Sequence, residues 1–464
     1  MKLKFITILL IFLSHFVSAQ YTNIPDSNFE QALIDLEIDS GIIDGQVLTS
    51  SIETVTILNL HNKPITDLTG IEDFIELKRL NCYKNDLAEL DISQNIHLEF
   101  LNCIGNPLTQ LDFSQNLALE EITLSENLLT SIDVTSLTEL KRLHCGFNLL
   151  TEIDVSQNLL LTYLYCRQNL LESLDVTNNL ELEELNCLGN SITQIDVTNN
   201  SQLNTLRCSN NNLEELDVTQ NELLFHLDCQ GNQINELNLT NNQELKYLIV
   251  SSNEIGNLDV SQNEKLKIFR LRAIGATQID VSNNLLLESL TCSYNEITEL
   301  NLSKNTHLNI LFCQNNYLTC IDIQSGSNLN VDHFNATNNP SLSCIEVDNP
   351  QWSEDNWDVD NNTTFSIDCN VDCLDFQVNN EEVFENQSFQ YFPNPTKGPI
   401  EVIPDKIYKE LNVKIFDISG QELESFIYKN EDKINIQINS LPGLYFISIE
   451  SEGTVFQRFK IIKI

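Results

Sequence analysis

The sequence predicts an α/β solenoid, in which equal coils stack to form one parallel sheet, followed by a small all-β domain. The main observation is a period: the segment LDISQN at residues 90–95 recurs every 21 residues in twelve copies without an insertion. Because one inserted residue would shift every buried column, a constant period indicates equal coils packed on one another. The aspartate of this segment stands at Asp91, Asp112, Asp133, Asp154, Asp175, Asp196, Asp217, Asp259, Asp280 and Asp322, with Asn238 and Asn301 in the two other copies.

Apolar columns within the period define the repeating unit LxxLxCxxNxLxxLxF. In one coil these positions are Leu98, Leu101, Cys103, Asn106, Leu108, Leu111 and Phe113. Leucine is expected to fill the first column of every coil from Leu77 to Leu329. Over residues 62–347 this unit resembles the bacterial leucine-rich repeat. The resemblance implies a right-handed solenoid, with a short strand around LxC contributing to a parallel sheet on the concave side.

Asparagine and cysteine each form a further column. A buried carboxamide offers donors and an acceptor to turn backbone, so the asparagines are expected to form a structural ladder. Leu124, Val250 and Leu271 substitute for cysteine, which indicates that the thiols are small buried hydrophobes rather than metal ligands or redox groups. The ladder asparagines are Asn85, Asn106, Asn127, Asn148, Asn169, Asn190, Asn211, Asn232, Asn253, Asn295 and Asn316, and the column cysteines are Cys82, Cys103, Cys145, Cys166, Cys187, Cys208, Cys229, Cys292 and Cys313.

Four other cysteines lie at the end of the array, at Cys320, Cys344, Cys369 and Cys373. Three pairings are possible, and the sequence does not choose among them. We predict a disulfide between Cys344 and Cys369, within a C-terminal cap over residues 348–375 that contains two tryptophans. A disulfide of this kind is typical of a protein that folds in an oxidising compartment.

The chain ends differ from the array. Residues 1–19 combine two lysines, a short apolar stretch and Val-Ser-Ala, which predicts a signal peptide, and residues 20–61 are expected to cap the first coil. After a linker at 376–388, residues 389–464 hold ten acidic and nine basic side chains. Nearly all of the net charge of −42 therefore falls on the preceding residues, which indicates a domain boundary.

Residues 389–464 alternate apolar and polar positions and predict a small antiparallel sandwich. Their motifs YFPNPTKG, ISGQ and LPGLY resemble the type A C-terminal sorting domain of the type IX secretion system. The resemblance implies contact with that secretion machinery and export to the outer surface or exterior of a Gram-negative bacterium. The motif residues are Tyr391, Pro393, Asn394, Pro395, Gly398, Gly443, Tyr445 and Lys460.

No catalytic motif is found, so neither an enzyme nor a cofactor is expected. Side chains next to the inward leucine and cysteine of each strand should face solvent on the concave side, because successive strand residues alternate. These positions carry six of the seven arginines of the chain and few acids. Arginine and tyrosine are enriched at interaction hot spots. The predicted ligand-binding residues are Arg142, His144, Tyr163, Tyr165, Arg167, Arg207, His226, Tyr247, Arg270 and Arg272.

The predicted function is therefore noncatalytic binding of a protein or an acidic glycan by a secreted or surface protein. Nucleic acid is not expected, because the acidic body would repel phosphates. One alternative is a passive spacer or coat component. Another is a divalent-cation-dependent adhesin using the convex aspartates, although the Asp, Ser and Asn of LDISQN are expected to bond nearby turn backbone instead. The mature chain shows no transmembrane segment in its sequence pattern.

Overall fold

The computed structural model describes residues 20–326, 328–369, 373, 390–392, 396–404, 407–416, 422–431, 433–439, 443–451 and 454–463. The predicted signal peptide, the linker at 376–388 and the motif residues Pro393, Asn394 and Pro395 lie outside these ranges. The chain divides into two units, residues 1–376 and residues 377–464.

In the first unit, the described helices are short and lie outside the repeating coils. They are α1 (Ser27–Asp35), α2 (Thr49–Ile52) and α3 (Pro350–Asn356), with 3-10 turns at Ile71–Asp73 and Asn328–Asn330. The strands are β1 (Tyr21–Asn23), β2 (Gln46–Leu48), β3 (Ile57–Asn59), β4 (Arg79–Asn81), β5 (Phe100–Asn102), β6 (Glu121–Thr123), β7 (Arg142–His144), β8 (Tyr163–Tyr165), β9 (Glu184–Asn186), β10 (Thr205–Arg207), β11 (His226–Asp228), β12 (Tyr247–Ile249), β13 (Ile268–Arg270), β14 (Ser289–Thr291), β15 (Glu299–Asn301), β16 (Ile310–Phe312), β17 (Cys320–Asp322), β18 (His333–Asn335), β19 (Cys344–Glu346) and β20 (Thr364–Ser366).

These strands form the predicted parallel sheet. Fourteen of them pair in chain order from β3 to β18, with β15 and β17 omitted. From β4 to β16 each residue pairs with the residue one period away, as Leu143 does with Leu164. A second parallel sheet, in the order β15-β17-β19-β20, builds on the last coils. The predicted leucine-rich-repeat solenoid is therefore confirmed, with little helix.

The inward columns form one continuous core. In the long parallel sheet the middle residue of each strand is buried, and so is the cysteine or aliphatic residue two positions later; in one coil these are Leu101 and Cys103. The predicted asparagine ladder lies beside them. Asn106 Nδ2 donates to the carbonyls of Cys82 (3.1 Å) and Cys103 (3.0 Å), and its Oδ1 accepts from Leu87 N (3.1 Å). Each carboxamide thus satisfies turn backbone in its own coil and in the preceding one, which confirms its structural role.

A second asparagine column is also buried, which the sequence pattern did not reveal. The sequence predicts that Asn95 bonds turn backbone on the convex side; its side chain does donate to backbone carbonyls, but it is fully buried. In the next coil, Asn116 Nδ2 donates to the carbonyls of Ile92 and Asn95, both at 2.9 Å, whereas its Oδ1 has no partner. This column therefore supplies donors that bind one coil to the next. Its members are Asn95, Asn116, Asn158, Asn179, Asn200, Asn221, Asn242, Asn263, Asn284 and Asn305.

The prediction that Leu329 fills the first apolar column is wrong. Leu311 pairs with Phe334, so this coil holds two more residues than the others. Val331 takes the buried position, and Leu329 is 50% exposed. The two extra residues shift the buried position from Leu329 to Val331, because strand pairing and not the 21-residue count decides which side chain points inward.

A cap closes the C-terminal end of the solenoid. The Trp357 ring stacks on Phe334, with ring centroids 4.1 Å apart, and its indole N–H donates to the Val331 carbonyl (3.1 Å). The predicted Cys344–Cys369 disulfide is confirmed, and a second disulfide joins Cys320 to Cys373. Both bonds fasten strands of the second sheet to the chain that leaves the cap.

At the N-terminal end, the predicted cap contains the helix α1. Asp26 caps it by accepting from the backbone N–H groups of Asn28 (2.8 Å) and Phe29 (3.0 Å). Phe29 and Leu33 of this helix are fully buried in the solenoid core. The antiparallel pair β1 and β2 completes the end. The apolar first coil is thereby shielded from water.

The second unit contains two antiparallel sheets around its own apolar core, as the sandwich prediction requires. Their inward residues, Ile400, Val413 and Ile447 among them, are fully buried. The sheet orders are β21-β22-β25 and β24-β23-β26-β27. The strands are β21 (Gln390–Phe392), β22 (Ile400–Ile403), β23 (Leu411–Phe416), β24 (Glu422–Tyr428), β25 (Ile434–Ile436), β26 (Gly443–Ser451) and β27 (Thr454–Lys463).

Candidate ligand-binding face

The outward positions of the long parallel sheet form a surface that we call the sheet face. It consists of the first and third residues of each strand, together with the outward residue two positions beyond. Arg142, Tyr163, His226 and Tyr247 begin their strands, whereas His144, Tyr165, Arg207 and Arg270 end theirs. Arg167 and Arg272 lie two residues beyond β8 and β13. All ten predicted residues therefore lie along one sheet, in two groups.

The first group lies on β7 and β8. The Arg142 guanidinium carbon is 4.3 Å from the Tyr163 ring centroid, a cation–π distance. The His144 and Tyr165 ring centroids are 4.4 Å apart, and the two tyrosine rings meet edge to face at 6.5 Å. The Tyr165 hydroxyl donates to the Glu184 carboxylate. These contacts hold flat, amphipathic rings and a guanidinium at fixed positions on the surface.

The second group extends from β10 to β13. The His226 and Tyr247 ring centroids lie 5.5 Å apart. Asp228 stands in the same outward column as Arg207 and Arg270, and its burial raises the pKa of its carboxyl while the two guanidinium charges oppose that shift. Arg207 lies directly opposite Asp228 on the preceding strand, whereas Arg270 lies two strands away on the other side. This group combines aromatic surface with positive charge.

The six arginines near the sheet are not used to hold the fold together. Across the described residues, none of their guanidinium groups donates a hydrogen bond to the protein or forms an ion pair with a carboxylate; the described ion pairs all use lysine. Each guanidinium has five N–H donors in a fork that fits a carboxylate, a sulfate or a phosphate. These donors face solvent or a ligand.

Two aromatic residues beside the sheet face were not identified from the sequence. The Arg167 guanidinium carbon is 4.9 Å from the Phe147 ring centroid, and that of Arg272 is 4.2 Å from the Tyr294 ring centroid. Phe147 and Tyr294 occupy a turn position with φ of +54° and +59°. This conformation disfavours bulky side chains, so an aromatic residue at a position that elsewhere holds glycine was the available signal.

His144 and His226 of the sheet face are neutral near pH 7. Burial, and then the charge of Arg207, lower the pKa of His226 to about 4. Burial also lowers the pKa of His144. A neutral imidazole offers one donor and one acceptor, so these two side chains add polar contact without adding positive charge.

We expect Arg207→Ala to raise the pKa of His226 toward the ordinary value of about 6.5, because a neighbouring positive charge is removed. In the wild-type protein the pKa of His226 is lower in the folded state than in the unfolded state. As pH falls, the unfolded state therefore takes up the proton first. Stability is therefore lost as pH falls from about 6.5 to about 4. Histidine ring titration by NMR measures the shift, with Arg79→Ala as a distant control. An unchanged His226 midpoint in Arg207→Ala would contradict this account.

The convex aspartates are engaged in turns of their own coil, as expected. Asp91 Oδ1 accepts from Ser93 N (2.9 Å), and Asp133 Oδ1 accepts from the Thr135 hydroxyl (2.7 Å) and N–H (3.0 Å). The bonds to Thr135 lower the pKa of Asp133. In the described ranges, no group of three or more His, Cys, Asp or Glu side chains is arranged to hold a metal ion.

The geometry of the second unit agrees with a known family. Residues 390–463 match the secretion system C-terminal sorting domain. The second unit is a sorting domain of the type IX secretion system. Of its motif residues, Tyr391 lies in β21, Gly398 precedes β22, Gly443 and Tyr445 lie in β26, and Lys460 lies in β27. The sorting domain implies that the chain is secreted.

The solenoid resembles internalins. The functional domain of InlJ from Listeria monocytogenes, which includes a cysteine ladder, matches with a TM-score of 0.65 and 26% identity, over 97% of this chain and 100% of that one. An internalin, InlF, from the same organism matches with a TM-score of 0.59 and 21% identity over 70% of this chain and 96% of that one, which shows the fold alone.

A shorter stretch of the sequence is similar to Internalin J of Listeria monocytogenes serotype 4b. It is 36% identical over 74 residues, which are 15% of this chain and 8% of that protein. Leucine-rich-repeat internalin-like folds and secretion sorting domains are typically non-enzymatic. None of the described helices has both the length and the apolar character of a membrane span.

Proposed function

We propose that this is a noncatalytic, secreted or cell-surface leucine-rich-repeat protein that binds a protein or an acidic glycan through the sheet face. Export would use the type IX secretion machinery of a Gram-negative bacterium, through residues 389–464. The observation that carries the binding proposal is the set of six arginines whose guanidinium groups make no hydrogen bond or ion pair with the described residues. A chain with a net charge of −42 has acids available for them, yet no carboxylate in the described ranges pairs with these donors.

The short range of electrostatic interactions in salt solution favours the sheet face as the binding site. Acidic side chains dominate the remainder of the solenoid, whereas the sheet face concentrates positive charge beside aromatic rings. At physiological salt the acidic body is screened beyond about 8 Å, so a ligand that reaches the face responds mainly to the nearby guanidiniums. Stacked rings and forked donors give a large contact area at a small cost in conformational entropy. A passive spacer would not require this segregation.

The experiment compares the mature chain with a variant carrying Tyr165→Ala, Arg167→Ala, Arg207→Ala and Tyr247→Ala. We expect captured protein partners and acidic-glycan array signals to weaken by about tenfold or more, since such residues act as hot spots. Binding is measured by glycan array and by surface plasmon resonance with purified partners. Circular dichroism checks that both proteins are folded.

A control variant carries Lys265→Ala and Lys304→Ala, which removes positive charge from exposed positions outside the sheet face. Its binding should remain within about twofold of the wild type, because rim charges contribute little. Equal binding by the sheet-face variant and the wild type would refute the proposed site.

A further inference from the structure

A row of leucines borders the sheet face. Leu128, Leu149 and Leu170 each follow the buried asparagine of their turn and are 48%, 44% and 53% exposed. We call these three residues the leucine row. Their N–H groups donate to the carbonyls one coil back, at 2.8–2.9 Å, so the three turns are stacked in register. Successive members are therefore about 5 Å apart, the spacing of paired strands.

The leucine row is confined to three coils. In the following coils the same column holds polar residues, namely Ser191, Asn212, Gln233 and Glu254. Exposed aliphatic side chains in a repeated position are thus not a requirement of the turn. The coils of Leu149 and Leu170 carry the first group of the sheet face on β7 and β8, and the coil of Leu128 lies directly before them. Apolar and cationic features coincide in the same part of the array.

Arg167 and Phe147 connect the two features. Phe147 is 43% exposed and stands two residues before Leu149 in the same turn. The Arg167 guanidinium covers its ring, and Gly146 provides room, because a Cβ at that position would lie 3.0 Å from Arg167 Cγ. The surface therefore continues from Tyr165 through Arg167 and Phe147 to the leucine row.

We infer that the leucine row and the arginine–tyrosine group beside it form one docking surface for a protein segment bearing both carboxylates and aliphatic side chains. The inference rests on the proposed function and selects a protein ligand. The guanidiniums of Arg142 and Arg167 lie over aromatic rings and form no ion pair with a described carboxylate, so they can complement the carboxylates of a ligand. Half-exposed leucines gain from removal of their apolar surface from water, which aliphatic side chains accomplish.

Other occupants fit this surface less well. An acidic glycan supplies negative charge but carries hydroxyl groups where the leucine row requires apolar contact. A second copy of this chain would bring its own large negative charge against an acidic body, and the two copies would repel each other. A segment with interspersed acidic and aliphatic residues satisfies both halves of the surface.

The test presents the chain without its predicted signal peptide to phage-displayed random dodecapeptides, and separately to heparin and polygalacturonate oligosaccharides. We expect enrichment of peptides that combine Asp or Glu with Leu, Ile or Phe. Affinity for the selected peptides should fall by about tenfold in the variant Leu128→Ser, Leu149→Ser, Leu170→Ser, because exposed apolar anchors are lost. The variant should keep its melting temperature.

The matched control is Leu223→Ser, Leu285→Ser, Leu286→Ser, whose leucines are similarly exposed at 49%, 51% and 43% in other columns. Its peptide affinity should equal that of the wild type. No enrichment of acidic–aliphatic peptides, or an unchanged affinity in the leucine-row variant, would overturn the inference. Binding only of the oligosaccharides would overturn it too, while leaving the proposed function in place. If Arg142→Ala with Tyr165→Ala also changes no binding, the proposed function fails as well.

Discussion

Replacement of Asn148 by alanine is expected to lower the free energy of unfolding by about 3 kcal/mol, because its buried hydrogen bonds are lost at once and Leu129 N is left without an acceptor. The two carbonyls that Asn148 also binds each keep a donor from a neighbouring ladder asparagine. Asn148 Nδ2 donates to the carbonyls of Leu124 and Cys145, both at 3.0 Å. Its Oδ1 accepts from Leu129 N at 3.1 Å. These bonds connect neighbouring coils, so the loss affects packing along the array. Urea denaturation followed by circular dichroism measures the change.

Asn178→Ala is the matched control for this experiment. Asn178 is exposed, and its side chain makes none of the hydrogen bonds described for the buried columns. We expect its free energy of unfolding to remain within about 0.5 kcal/mol of the wild type, as is usual for surface substitutions. Equal losses in the two variants would show that the ladder bonds do not carry the stability assigned to them.

Joint replacement of Cys344 and Cys369 by alanine is expected to cost about 3 kcal/mol of stability. Their disulfide spans a sequence separation of 25 and constrains the unfolded chain. It also fastens the cap that covers the last coil. Reduction of the wild type by dithiothreitol should destabilise it further, because the Cys320–Cys373 bond is then lost as well. Urea denaturation with and without dithiothreitol measures both effects.

A free cysteine of the buried column should respond differently from the disulfide cysteines. Cys187 is fully buried, and its burial raises the pKa of the thiol to about 12, so it stays an unreactive apolar group at neutral pH. Val250 fills the same column elsewhere. Cys187→Val should therefore cost less than about 1.5 kcal/mol, and it should retain the wild-type response to dithiothreitol. A wild-type protein indifferent to the reductant would contradict the stabilising role of the disulfides.

Sequence periodicity predicted the inward columns because a residue's environment in a stacked coil depends on its place in the period. It could not predict Val331 in place of Leu329, since strand pairing absorbs the two extra residues. Nor did it reveal Asn95 as buried, because LDISQN also fits an exposed turn. The second parallel sheet was likewise not predicted, since its strands are three residues long and form only where the last coils pair.

The candidate site, like the fold, was only partly predictable from the sequence. The sequence placed Arg142, Tyr165 and Arg207 on one sheet, because alternation along a strand is a local property. It did not identify Phe147 or Tyr294 as their neighbours, since those contacts join side chains in different coils. The sequence also could not show that the arginines form no ion pair with the described carboxylates, because acids such as Glu184 occupy the same outward columns.

By itself the sequence determined the repeat, the inward columns, the sorting domain and the column to which each arginine belongs, because these depend on periodicity and local motif. Only the tertiary structure decided which outward side chains meet, which asparagines are enclosed, how the four terminal cysteines pair and where apolar and cationic surface coincide. The physical reason is that these properties arise from contacts across coils, between residues far apart in the chain, whose partners are set by the stacked backbone.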